Sequence, residues 1–382
     1  MTLTIATLER LIGFNSVSAR SNLEIIGFIE GFLRERGFRL TRLPDGTGQK
    51  AGLYAEIGPS EGGLLLSGHT DVVPTDGQNW TRDPFRMSRD ADRLYGRGTT
   101  DMKGYLACML SAADLAARRD LTEPLKLVFS YDEEVGCVGI QKMADQLAPL
   151  LGSPRVCFVG EPTEMRVTIG HKGKAAIKAT CTGQNGHSAL APYFVNALHV
   201  AADFVIELRR TQTRLATDGA RDPAYDIAYS TVHIGKLSGG IALNIVPDIA
   251  ELILEYRHLV ADDPERIMDM IRDAARRVAT RYRADFAGVD ITLDRYNSYP
   301  GLEVPQDAPE VTLAGRLAGN QNIAKVAFGT EAGVFSALGI PTVVCGPGSM
   351  EGQGHKPDEF ITLDQLSACE RIMDRVVDEI SA

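Results

Sequence analysis

Four short apolar runs, each stopping at a polar or charged residue, constrain the fold of this chain more than any other feature. They are residues 64–69, 125–132, 156–161 and 342–347, ending in Ser67-Gly68-His69, Ser130-Tyr131-Asp132, Gly160-Glu161 and Gly346-Pro347. Runs this short and this uniformly apolar read as strands buried on both faces, which requires a sheet covered by helices. A helical pattern from about Gly104 to Arg119 falls between the first two, where parallel strands need a crossover. Another amphipathic helix is predicted between Asn22 and Arg39, with Ile25, Ile26, Phe28, Ile29, Phe32 and Leu33 at helical spacing and Gly37 where a C-cap belongs. The fold class is α/β.

A different rhythm runs from about Lys174 to Tyr296. It predicts a strand over 175–182, a helix over 196–211, strands over 230–237 and 250–257, a helix over 264–282 and a strand over 290–296. The order β-α-β-β-α-β is that of a ferredoxin-like unit. Because α/β patterning resumes after it, with a helix over 332–338 and a strand over 342–345, this unit reads as an insertion. The expected domains are a discontinuous one, 1–174 with 298–382, and an inserted one, 175–297. A length of 382 residues, against about 100–200 per domain, suits two.

The net charge of −10 lacks the positive footprint of a nucleic-acid binder, so no nucleic-acid partner is expected. Charge interrupts every apolar stretch short of the ~18 residues a membrane span needs, and the opening residues show no basic-then-apolar leader. Neither a membrane partner nor a targeting segment is expected. Six cysteines, at 108, 137, 157, 181, 345 and 369, form no C-x-x-C pair, which suits unpaired thiols of a cytoplasmic protein. A metal site would have to draw on His and carboxylates.

Five segments bring such groups to predicted strand ends and loops, the region where open α/β sheets hold ligands. In Gly68-His69-Thr70-Asp71 the His and Asp share a face of extended chain, so Asp71 can orient a ligating His69, although a turn with an Asp cap is the plainer account. Gly96 to Gly104 is a glycine-punctuated loop entering a helix. Its spacing fits no phosphate-binding fingerprint, which leaves Asp101 as a ligand or as an N-cap. Asp132-Glu133-Glu134 crowds three carboxylates at a strand end, where cations or water must compensate the repulsion. Neighbouring side chains point different ways, so one Glu can ligate while the other faces the substrate water as general base. Gly160-Glu161-Pro162 ends a fourth run in a carboxylate, and His355 lies in a glycine-flanked loop followed by Asp358-Glu359. Two His and three carboxylates without thiolate suit two divalent ions of zinc type, one carboxylate bridging them. Such a pair, roughly 3.5–4 Å apart, binds a hydroxide and polarises a carbonyl.

In the order of these five segments, and in the position of the β-α-β-β-α-β insert, the whole chain resembles the M20 family of zinc peptidases and deacylases. The resemblance implies a mixed-sheet, zinc-peptidase-like catalytic domain with an inserted lid and dimerisation domain, hence a homodimer. It implies that Asp101 bridges two metal ions, zinc in the first place with cobalt as the other choice, that His69 and Glu161 complete one site, and that Glu134 and His355 complete the other. Glu133 is then the general base, Asp71 orients His69, and a cis peptide follows Asp101. His187, in Gly183-Gln184-Asn185-Gly186-His187-Ser188, resembles the lid histidine that steadies an oxyanion in a neighbouring subunit. Asn244 and Arg257 fall where the family binds a substrate carboxylate, and Gly329 and Thr330 where it contacts substrate.

Within the family, residues 328–333, 340–348 and 354–360 are similar to the deacetylase branch rather than to the desuccinylases. That similarity implies N²-acetyl-L-ornithine as the small-molecule substrate, split into L-ornithine and acetate. At the hinge, Lys172 and Lys174 stand where desuccinylases carry arginines, which weakens the case for a second substrate carboxylate. Succinyl-diaminopimelate or another N-acyl amino acid is the alternative within the same chemistry. A non-catalytic binding protein on this scaffold would be expected to lack a ligand or the base, and all of them are present. No strand is followed by G-x-G-x-x-G, which argues against a dehydrogenase.

Overall fold

The computed structural model describes residues 2–319 and 321–382, which divide into two compact units. The first comprises Met1–Gly170, Leu302–Lys325 and Thr330–Ala382, the second His171–Gly301 with Val326–Gly329. The second unit opens before residue 175 because its first strand already runs over Gly173–Thr182, and it extends past 297 because its last long strand runs over Asp290–Tyr299.

In the first unit the apolar runs form the centre of a mixed sheet. Leu64–His69 lies parallel between Leu125–Ser130 and Val156–Pro162, and Thr342–Gly346 lies parallel to the latter. All four strands are buried along their whole length, as a sheet covered on both faces demands. Two antiparallel strands, Ala51–Ile57 and Arg39–Pro44, extend one side. The sequence reading did not assign these two; the outer one is mostly exposed and lacks a buried alternation to betray it. The crossover helix runs over Lys103–Ala116, and the early amphipathic helix over Leu23–Arg34, with Gly37 at φ 79° closing it.

Glycines let the crossover helix approach the sheet. A Cβ on Gly68 would meet Leu106 Cδ2 at 2.7 Å and Met102 Cε at 2.8 Å, and one on Gly160 would fall into the Tyr105 ring. Because side chains alternate along a strand, the residues that follow, His69 and Glu161, face away from that helix. The four parallel strands end close together, so their polar carboxyl ends share one rim.

The second unit is a four-stranded antiparallel sheet in the order Thr231–Gly239, Ile249–His258, Gly173–Thr182, Asp290–Tyr299. With helices Ala197–Asp218 and Pro264–Tyr282, its chain order is β-α-β-β-α-β. Ala250, Leu252, Leu254 and Tyr256 alternate inward along one strand and meet Phe204, Ile267, Ile271 and Val278 in one core. Each large apolar side chain buried there contributes about 1.5–3 kcal/mol.

Candidate metal centre

His69, at the end of its strand, is fully buried. Its Nδ1 lies 2.9 Å from the backbone carbonyl oxygen of Asp71 and 3.5 Å from the Asp71 carboxylate. Donation from Nδ1–H to that carbonyl leaves the Nε2 lone pair free, and Nε2 lies 3.0 Å from Asp101 Oδ1 and 4.0 Å from Glu161 Oε1. Asp71 thus orients His69 chiefly through its backbone. Its carboxylate accepts from Ser18 Oγ at 2.6 Å and from the N–H groups of Glu133 and Glu134 at 3.1 and 3.3 Å. Hydrogen bonds to a charged group are worth about 1.5–3 kcal/mol each, so Asp71 fixes the acidic turn as firmly as it fixes the imidazole.

Asp101 does not cap the helix it precedes. The N-cap is Met102, without a side-chain bond, and the peptide between Asp101 and Met102 is cis. The carboxylate instead spans two imidazoles, Oδ1 toward His69 and Oδ2 3.1 Å from His355 Nε2. Glu134 Oε2 lies 2.9 Å from the same His355 nitrogen. His355, 42% exposed, is the most open of these groups. Of the three crowded carboxylates, Asp132 is paired with Lys50, while Glu133 accepts from the Cys137 thiol at 3.3 Å.

Among the described residues, two overlapping sets bring ligand atoms within 4.8 Å of one another: His69, Glu133 and Glu161, and His69, Asp101 and Glu134. Donors held tetrahedrally about 2.0–2.2 Å from a zinc ion stand roughly 3.3–3.6 Å apart, and the separations of 2.9–4.0 Å here bracket that value. Glu134 Oε1 and Glu161 Oε1 are buried without a hydrogen-bond partner. A buried carboxylate oxygen that no protein donor satisfies is what a cation ligand requires.

The electrostatics agree. Burial pushes Glu133 and Glu134 up to about 8, and the Asp101 charge adds to both. Burial, then Glu133 and Asp101, raises Glu161 well above the usual carboxylate range. Burial opposes charge on His355, yet hydrogen bonds to Asp101 and Glu134 raise it to about 11. Divalent cations would keep such a crowd of acids ionised, so the residues present fit a pair of them.

The family model of peptidase family M20/M25/M40 matches residues 65–379. The chain belongs to this family. Acetylornithine deacetylase from Edwardsiella ictaluri is 34% identical over 384 residues, covering 98% of this chain and 96% of the relative. Among solved structures, the M20 metallo-carboxypeptidase Sso-CP2 from Sulfolobus solfataricus is similar at a TM-score of 0.78 and 20% identity, covering 99% of each chain. The YXEP protein of Bacillus subtilis, a dinuclear metal-binding peptidase of the M20 family, is similar at a TM-score of 0.67 and 18% identity, covering 99% of this chain and 97% of that one. As a member of the family, the chain has the mixed α/β fold that the resemblance implied.

The other expected site residues are distributed unevenly. Thr330 is fully buried, and its Oγ1 accepts from the Ala332 N–H at 3.0 Å at the start of a helix. Its neighbour Glu331, which the sequence reading passed over, is 1% exposed, and burial pushes it up to about 7 against the opposing effect of the Ser130 hydroxyl. A carboxylate inside an otherwise apolar segment was the available signal. In the second unit, pairing of Gly186–His187 with Ile245–Val246 brings His187 beside Asn244, whose carbonyl accepts from the Ser188 N–H. His187 Nδ1 accepts from the Ala189 N–H, leaving an Nε2–H on an exposed side chain. Arg257 donates from Nε to Glu255, so part of its fork is already engaged. Gly329 packs so closely on the Tyr299 ring that a Cβ would collide with it. Lys172 donates to the carbonyls of Ile227 and Tyr229, and Lys174 pairs with Glu255.

Proposed function

We propose that the chain removes the acetyl group from N²-acetyl-L-ornithine, giving L-ornithine and acetate, the reaction that serves arginine biosynthesis. The observation that carries this reading is the divided carboxylate of Asp101, each oxygen facing one imidazole, in a chain 34% identical to an acetylornithine deacetylase. His69, Glu161 and Asp101 Oδ1 would hold one divalent ion, and His355, Glu134 and Asp101 Oδ2 the other, zinc or cobalt by donor type. When bound, such a pair polarises the amide carbonyl and acidifies water. Glu133 takes the proton from the attacking water and returns it to the amine nitrogen as the C–N bond breaks. Asp71 holds the imidazole of His69 and the backbone of Glu133 and Glu134 in place throughout.

The second unit is assigned the lid and dimerisation role, and substrate is assigned to Arg257 and Asn244, with Gly329 contributing backbone. With Nε on Glu255 and Nη1 3.5 Å from the Ala327 carbonyl, Nη2 of Arg257 is the arm that suits a single α-carboxylate. Engagement of Lys172 and Lys174 within their own unit, together with the net charge of −10, favours a substrate with one carboxylate and a cationic side chain over a succinylated one. Six buried, unpaired cysteines suit a cytoplasmic enzyme, and among the described residues no helix is long and apolar enough to cross a membrane. Turnover of N²-acetyl-L-ornithine by the metal-loaded protein tests the assignment.

A homodimer is part of this reading. The strand Thr231–Gly239 is an unpaired sheet edge, and Leu190, Tyr193, Ile241 and Leu243, which flank the His187 pairing, are exposed. His187→Ala is expected to keep fold and metal while losing turnover, since its Nε2–H is assigned to the developing oxyanion. Mixing this variant with a metal-ligand variant restores activity if His187 serves a partner's centre. Absence of rescue after proven subunit exchange would contradict action across the interface.

A further inference from the structure

We propose that Glu359 and Arg97 form a buried clamp that sets the Asp101 loop and the His355 loop in register, making Glu359 a positioning residue for the metal centre. The inference rests on the metal-centre reading above and concerns residues to which that reading gives no role. Asp101 and His355 come from loops far apart in sequence, yet their atoms must meet within tenths of an ångström to share an ion.

Glu359 lies in the His355 loop, and its Oε1 accepts from the backbone N–H groups of Gly98, Thr100 and Asp101 at 3.1, 2.9 and 3.1 Å. Its Oε2 accepts from Arg97 at 2.6 Å, and both side chains of the pair are 1% exposed. The backbone repeats the link: the Gly96 N–H donates to the Glu359 carbonyl at 3.0 Å, and Thr100 Oγ1 to the Phe360 carbonyl at 2.6 Å. Both carboxylate oxygens are therefore taken by protein donors. Glu359 holds ligands in place without being one.

Arg97 closes the circuit on the other side. It stacks 5.0 Å from the Trp80 ring and donates to Gln78 Oε1, while Gln78 Nε2 donates to the His355 carbonyl at 3.2 Å. His355 and Asp358 sit at φ 60° and 55°, a left-handed conformation that non-glycine residues keep where surrounding contacts over-determine it. The clamp supplies such a contact at His355 through Gln78, and Thr81 holds the Asp358 carboxylate. Two of the ligands assigned to one ion, Asp101 and His355, hang on it, whereas His69 and Glu161 are set by their own strands.

The test uses the full-length chain and Co²⁺ as probe, with equivalents bound read by equilibrium dialysis, the site by its visible absorption, and the fold by circular dichroism. Glu359→Gln keeps an acceptor for the three N–H groups and leaves Arg97 without its counter-charge. It is expected to fold and to weaken the equivalent that depends on both Asp101 and His355 by about 10–100-fold, the usual cost of losing a residue that orients a ligand, and the equivalent that Asp101 shares with His69 and Glu161 by less. Gln78→Ala removes the relay to the His355 carbonyl together with the acceptor of Arg97 and Trp80 Nε1, leaves the Glu359 carboxylate bonds intact, and is expected to weaken the equivalent held by His355 by a smaller factor; it decides the matter if Glu359→Gln fails to fold. Folded variants that bind both equivalents as tightly as the wild type overturn the clamp. A wild type that binds fewer than two equivalents overturns the metal-centre reading on which it rests.

Discussion

Glu133→Gln is expected to retain both metal equivalents and to lose about 10²–10⁴ in kcat, the share of a general base. Its neighbour behaves differently because the two side chains meet different partners. Glu134 Oε2 stands 2.9 Å from His355 Nε2, and its other oxygen is buried without a partner, so Glu134→Gln removes a ligand charge and is expected to weaken metal binding first. Glu133 instead leans on the Cys137 thiol while lying within 4.8 Å of His69 and Glu161, close enough to serve a water bound among them. Metal content by elemental analysis, set beside kcat for each variant, separates the roles. Equal metal loss in both variants would show the division to be wrong.

Exhaustive chelation is expected to abolish turnover, and zinc or cobalt to restore it. The expectation follows from the charge arrangement, since burial, together with repulsion from neighbouring carboxylates such as Asp101, raises Glu133, Glu134 and Glu161 above the ordinary carboxylate range. Binding to the folded state also stabilises it, by about 2.7 kcal/mol at a hundredfold excess over Kd, so Tm should climb on reconstitution. A stripped protein with undiminished turnover would remove the metals from the account.

The residues assigned to the metals were legible as candidates because each is announced locally, His69 and Glu161 by an apolar strand that ends in a Gly-His or Gly-Glu step, Asp101 and His355 by a glycine-flanked loop, and Glu134 by a crowd of carboxylates at a strand end. The close packing of Tyr105 at Gly160 supplies the physical reason for the glycine in one such step. Glu359 was present in a quoted segment yet carried no signal of its role, because its partners Arg97, Gly98, Thr100 and Asp101 are distant in the chain. The same holds for Lys50, which neutralises Asp132, and for Glu255, which engages Arg257. The inserted unit was legible almost strand by strand, since one-sided sheets and amphipathic helices write their period into the sequence.

The measurement that bears most directly on the central claim is kcat/KM of the metal-loaded protein for N²-acetyl-L-ornithine and for N-succinyl-diaminopimelate, taken side by side. The account predicts turnover of the acetylated substrate with kcat/KM at least about tenfold higher, equivalent to a difference of about 1.4 kcal/mol in transition-state binding. A higher kcat/KM for the succinylated substrate would move the chain to the desuccinylase branch, and turnover of neither by protein holding two metal equivalents would contradict the assigned reaction.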